Sequence, residues 1–222
     1  MSNSIAGLGM TSDRTRMRMV ARLRAAGIAD ERVLTAMAAV PRHLFIDEAL
    51  ASRAYDDVAL PIGFGQTISQ PYTVARVAEL ARGGRDPDKV LEVGSGSGYQ
   101  AAVLAHLCRA LFAIERIDGL LRRARTVVTR ELRLPNVRFR HADGFAGLPE
   151  EAPFDAIVVS AAVTAVPEAL LLQLAEGGCM VYPKQAGRGQ QLCVIGREAR
   201  SSYVERAVGP VKFVPALAGK VR

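Results

Sequence analysis

The sequence predicts an α/β chain: a doubly wound, mostly parallel sheet with an N-terminal helical cap and an antiparallel C-terminal hairpin. Three observations carry this. A short apolar run, Lys89 to Val93, leads through Gly94-Ser95-Gly96-Ser97-Gly98 into the helical pattern Tyr99 to Leu107, a strand–turn–helix unit. Strands and helices keep alternating after it, which implies parallel strands covered on both faces. Half of the 222 residues are hydrophobic and 23% are charged, which allows a large core and argues against global disorder.

Taken in order, residues 1–15 are small, polar and weakly patterned and are expected to form a disordered tail. Arg16 to Ala26 reads as a basic helix stopped by Gly27. Asp30 is placed to cap a second helix running to Val40, with Val33, Leu34, Met37 and Val40 on one face and Pro41 closing it. His43 stands beside Leu44 and Phe45, where a lone histidine is more often structural than functional. Ala59 to Tyr72 holds two glycines, two prolines and the hydrogen-bonding side chains Gln66, Thr67, Ser69 and Gln70, and is expected to be an ordered, functional loop. A helix from Tyr72 to Ala81 leads to Gly83-Gly84 and the central strand. Next come a strand Ala110 to Ile114 ending at Glu115, a long basic helix Ile117 to Leu134, and a strand Asn136 to Arg140 followed by Asp143-Gly144. A fourth strand, Phe154 to Val159, precedes a helix Pro167 to Ala175 with its proline in the first turn. Cys179 to Tyr182 is a strand, Gln191 to Gly196 with Tyr203 to Val208 a closing hairpin, and Val211 to Val214 a last extended piece. The order of these last strands is not legible. One domain is expected over residues 16–222, with the cap and loop in 16–84 and the sheet in 85–222.

No apolar run approaches the roughly 20 residues of a membrane span, and no signal-peptide core stands at the N-terminus. Cys108, Cys179 and Cys193 lie in apolar surroundings without metal-like spacing; no metal site is expected, and the thiols read as free in a reducing cytoplasm. The net charge of +7 invites a nucleic-acid reading. The arginines are scattered along helices, however, and aromatics make up only 5% of the chain. A solvated basic surface, no stable nucleic-acid partner, no membrane and a monomeric protein are the expectations.

The glycine turn lacks the G-x-G-x-x-G spacing of dinucleotide sites, because the position of the third glycine there is Tyr99. Glu92 with Gly94, Gly96 and Gly98 makes E-x-G-x-G-x-G instead. This resembles the first motif of the class I S-adenosylmethionine (SAM) methyltransferases and implies their Rossmann-like sheet. SAM is then the expected cofactor, with Ser95 in the turn among its contacts. Glu115, at the end of the next strand, stands where doubly wound folds place an acid for ribose hydroxyls; pairing with Arg116 is its structural alternative. Arg116 is counted with the cofactor residues. Asp143 is placed to accept from the adenine amine, and Gly144 to let the backbone lie against the ring. For Glu92, contact with the glycine-turn backbone, contact with the methionine amine and a purely structural role all stay open.

With the upstream loop added, the chain resembles the protein-L-isoaspartate O-methyltransferases. Leu60-Pro61-Ile62-Gly63 and Gly65-Gln66-Thr67-Ile68-Ser69-Gln70-Pro71 are the most specific match, followed by Val90 to Tyr99. Val40-Pro41-Arg42, Phe154-Asp155-Ala156-Ile157, Pro167-Glu168-Ala169-Leu170 and Phe213-Val214-Pro215 also fit. The resemblance implies methylation of the free α-carboxylate of L-isoaspartyl residues, and less well of D-aspartyl residues, in damaged proteins and peptides. It implies Ser69 as the catalytic position, orienting the substrate carboxylate, with Ile68, Gln70 and Pro71 shaping the pocket over the cofactor. Helix capping is the structural reading of Ser69. The chain departs from the family at Ser160 to Val166 and at Tyr182-Pro183-Lys184-Gln185, which puts substrate range in question. A SAM-dependent nucleic-acid methyltransferase and a non-catalytic SAM-binding protein are the rival readings.

Overall fold

The computed structural model describes residues 9–221. Helices α1 (Asp13–Ala25) and α2 (Glu31–Ala39) open the chain. The first begins three residues before the expected start, with Asp13 in its first turn paired to Arg16. A 3-10 turn, Gly9–Thr11, precedes it. The expected disordered tail is thus corrected for residues 9–15, while 1–8 lie outside the described residues. Asp30 caps α2 as its position predicts, accepting from the N–H of Arg32 at 2.9 Å and of Val33 at 3.3 Å.

The loop read from Ala59 to Tyr72 is a hairpin. Strand β1 (Leu60–Gly63) pairs antiparallel with β2 (Gln66–Ile68). Phe64 and Gly65 turn the chain with both φ values positive (54° and 69°), which a two-residue hairpin turn needs. Helix α3 (Pro71–Arg82) follows, with Pro71 in its first turn and Gly83 left-handed at its end. Asp30 pairs with Arg82, and Arg32 with Asp86 just past α3, which fastens the cap to α3.

The main sheet then builds outward from its centre: β3 (Lys89–Val93), α4 (Tyr99–Ala105), β4 (Ala110–Glu115), α5 (Asp118–Arg125), β5 (Val137–His141), β6 (Phe154–Val159), α6 (Glu168–Leu172), β7 (Leu174–Ala186), β8 (Gly189–Ala199) and β9 (Ser202–Val211). The order is β5-β4-β3-β6-β7-β8-β9, parallel from β5 to β7 and antiparallel over β8 and β9. Strand order reverses beside β3: β4 lies on one side and β6 on the other, which opens a crevice at its carboxyl end. Val90, Ala113, Ala156 and Val158 face one core with the packed faces of α1 to α5. Leu91, Phe112, Ile157 and Leu170 face a second, smaller core.

Helices α5 and α6 end short of their apolar patterns. Helix α5 passes at Thr126 into a π-helical turn to Glu131, where Thr126 and Thr129 hydroxyls bond back to the carbonyls of Arg122 and Arg125. Helix α6 stops at Leu172 because buried Gln173 serves other partners. Its side chain accepts from Leu148 N and donates to Ala146 O, and its carbonyl accepts from Phe154 N. Past β9 the described residues make no further strand but cross the carboxyl edge of the sheet. Ala162 bridges Pro215, and Ile117 bridges Val221.

Candidate active site

The glycine turn starts where β3 ends. Gly94, Gly96 and Gly98 all have positive φ, at 83°, 53° and 88°. Gly98 has a second reason to lack a side chain: a Cβ there would stand 2.9 Å from that of Ala124 on α5. The turn is tied to β4, since Gly94 N and Ser95 N donate to Ile114 O. Glu115 completes the tie. Its Oε2 accepts from Gly96 N at 2.8 Å and its Oε1 from Ile117 N at 2.9 Å. The glycine-turn contact considered for Glu92 therefore belongs to Glu115.

A cleft straddles the carboxyl end of β3 in two linked cavities that share Thr67, Gly94, Gly96 and Ser160. The first lies towards the smaller core, between Val93, Ile114, Glu115, Arg116, Gly144 and Phe145. A Cβ on Gly144 would collide with Val93 Cγ1, so only glycine leaves this wall its shape. The second lies towards α3 and α4, and Ser69, Glu92, Ser95 and Tyr99 line it. Three polar groups there lack partners among the described residues. Ser69 Oγ makes no hydrogen bond there, and the first-turn N–H of Tyr72 in α3 goes to Asp57 Oδ1 at 2.8 Å, so the capping role falls to Asp57. Ser95 Oγ and Glu92 Oε2 are buried and unpartnered. Glu92 Oε1 accepts from Ser160 Oγ at a long 3.4 Å. Burial, above all, pushes the Glu92 carboxyl up to about 8.

Other expected site residues are placed differently. Ile68 lines the second cavity, but Gln70 and Pro71 do not; the helix start turns them aside, and Gln70 lines a separate groove with Tyr72, Arg76 and β9. Asp143 is outside the cleft. Its Oδ1 accepts from Phe145 N at 3.0 Å and its Oδ2 from Gly219 N at 2.8 Å, so it anchors the C-terminal segment. Arg116 joins it, donating to the carbonyls of Ala218 and Gly219. That segment is the wall sequence reasoning missed: Val214, Pro215, Ala216 and Leu217 close the first cavity. Only the Phe213-Val214-Pro215 match hinted at it. The hairpin closes the other side, fastened by Arg123, which donates to Ile62 O at 2.7 Å and lies 5.5 Å over the Phe64 ring.

The two departing segments part ways. Ser160 and Ala161 line the cleft, while Ala162 and Val163 are pinned to Pro215 and Lys184. Tyr182 and Lys184 instead both donate to Glu205, at 2.6 and 2.9 Å, across the antiparallel end of the sheet.

A family model of protein-L-isoaspartate(D-aspartate) O-methyltransferases matches residues 14–221. The chain belongs to this family. A protein-L-isoaspartate O-methyltransferase of Halorhodospira halophila is 57% identical over 216 residues, 97% of each chain. Another, of Nitrosospira multiformis, is 57% identical over 210 residues, 95% of this chain and 98% of the relative. Among solved structures, a protein-L-isoaspartate O-methyltransferase superposes with a TM-score of 0.83 at 28% identity, covering 91% of this chain and 66% of that one. One from Plasmodium falciparum, in complex with S-adenosyl-L-homocysteine, gives 0.77 at 26% identity over 91% and 98%. The expected family, Rossmann-like fold, SAM cofactor and isoaspartyl methylation are borne out. The enzyme is a SAM-dependent protein-L-isoaspartate O-methyltransferase.

Proposed function

We infer that the cleft over β3 is where the methyl transfer of the family takes place, with Ser69 as its catalytic residue. One observation carries this: the free Ser69 hydroxyl lines the same cavity as the unpartnered Ser95 Oγ and Glu92 Oε2. A buried acceptor without a donor and a buried hydroxyl without a partner suit the ammonium and carboxylate at the methionine end of SAM. The first cavity, with apolar walls and Glu115 at its rim, suits the adenosyl end, where the remaining lone pairs of Glu115 accept from ribose hydroxyls. Gly144 and Phe145 flank the base.

When bound, SAM supplies an electrophilic methyl on a sulfonium. The substrate's α-carboxylate is ionised at neutral pH and is already a nucleophile, so the enzyme needs no general base. Ser69 donates its hydroxyl to that carboxylate and fixes one oxygen in line with the methyl. The hairpin and the C-terminal segment exclude water from the transfer. The methyl ester that leaves the enzyme collapses to a succinimide, which hydrolyses in part to ordinary aspartate.

In this reading the protein acts as a cytoplasmic monomer on isoaspartyl proteins and peptides, without a nucleic-acid or membrane partner. The scattered arginines and free thiols support it. Labelled SAM is offered with matched synthetic peptides carrying L-isoaspartate or L-aspartate at one position. Transfer to the isoaspartyl peptide alone is expected. Transfer to neither, or a greater transfer to RNA or DNA, would defeat the reading. Sedimentation and cell fractionation test the monomer and its location.

A further inference from the structure

The cavity beside Ser69 holds an acid and no base. Glu92 is fully buried on the central strand. The polar groups that face it come from every side: Ser160 after β6, Ser95 in the glycine turn, Thr67 and Ser69 at the hairpin, Tyr99 and Gln100 on α4. No lysine, arginine or histidine lines this cavity among the described residues. The charged group that acts on Glu92 is Glu115, a like charge, and burial holds the Tyr99 phenol neutral. One long hydrogen bond from Ser160 is all that the Glu92 carboxyl receives among the described residues. An ionised carboxylate in such surroundings carries a large desolvation cost, and a proton removes it.

We propose that Glu92 is neutral in the free enzyme and becomes the counter-ion of the cofactor's ammonium, so that each cofactor bound expels one proton. The proposal rests on the reading that this cavity takes the methionine end. The step balances. The O–H bond of the Glu92 carboxyl breaks, its proton passes to solvent, and the ammonium keeps its three protons while donating to the bared Oε2. The carboxyl's position near 8 fits this, because the exchange then falls at neutral pH. Cofactor affinity rises with pH up to that point, by up to about tenfold per unit, and levels off above it.

The probe is S-adenosylhomocysteine, which carries the same ammonium and does not react. Its binding is followed by titration calorimetry in phosphate and in Tris between pH 6.5 and 8.5. The dependence of the heat on buffer ionisation gives the protons released. About 0.9 proton is expected at pH 7, falling to about half near pH 8. Glu92→Gln should abolish the release, and Ser160→Ala, by removing the hydrogen bond that favours the charged form, should move the midpoint upward. Binding of wild type at pH 7 without proton release, or release persisting in Glu92→Gln, overturns the proposal alone. If Glu92→Gln binds too weakly to measure, the wild-type midpoint decides: a release that does not fade towards pH 8.5 overturns it. An absence of binding in every buffer would defeat the assignment of the cleft as well.

Discussion

Glu115 accepts the backbone N–H of Gly96 at 2.8 Å, so the acid at the end of β4 holds the glycine turn at the end of β3 in shape before any ligand arrives. The contact joins two neighbouring strands at the point where strand order reverses. Its effect is preorganisation: the turn's positive φ values are set by the protein itself.

Ser69→Ala tests the division of labour in the cleft. Its hydroxyl has no hydrogen-bond partner among the described residues, so its loss costs little stability. Removing one hydrogen bond to a charged group should lower kcat by roughly 10- to 100-fold. Affinity for S-adenosylhomocysteine should change by less than about twofold. Steady-state kinetics and calorimetry check both, and wild-type turnover would contradict the assigned role.

Gly96→Val should abolish cofactor binding. Gly96 sits at φ 53°, where any L side chain is strained, and a Cβ there would already be in contact with Ile62 Cδ1 at 3.4 Å. A β-branched side chain must distort the turn and break the Glu115 contact. Calorimetry with S-adenosylhomocysteine should give no heat, while circular dichroism should show the fold retained.

Arg123→Ala should loosen the hairpin over the cleft. The variant loses the bond to Ile62 O and the stacking on Phe64, two contacts together worth about 1–3 kcal/mol. KM for SAM should rise several-fold with a smaller change in kcat. Hydrogen exchange should show faster exchange confined to residues 60–68.

Glu92 also shapes the pH dependence of stability. Its carboxyl titrates near 8 in the folded protein, well above the ordinary value of 4.5, so the folded state holds the proton more tightly. The contribution is fully present below pH about 4.5, declines as pH rises through this window, and is lost above about 8. Glu92→Gln removes that dependence. Its Tm should overtake that of the wild type between pH 6 and 8.5, which thermal melts across that range will show.

The glycine turn and Ser69 were legible as site candidates because the pattern that marks them is local: strand, turn and helix lie within a few residues of one another. Glu115 was legible by position, although its backbone partners were not. Asp143 was not legible, because its deciding partner is Gly219, 76 residues further on. Gln70 and Pro71 were misplaced because the start of α3 turns them from the cleft. The hairpin from Leu60 to Ile68 hid behind its proline and glycines, and a left-handed Phe64 gave no local signal. The end of α5 shows propensity failing over a β-branched run, Thr126-Val127-Val128-Thr129.

The C-terminal segment gives the site an order in time. Val214 to Leu217 form one wall of the cleft, and Gly219 and Val221 anchor it to Asp143 and Arg116. A chain emerging from the ribosome has its glycine turn early and its last wall late. Until residues 214–221 are made, the cleft lacks one of its walls and stays open along that side.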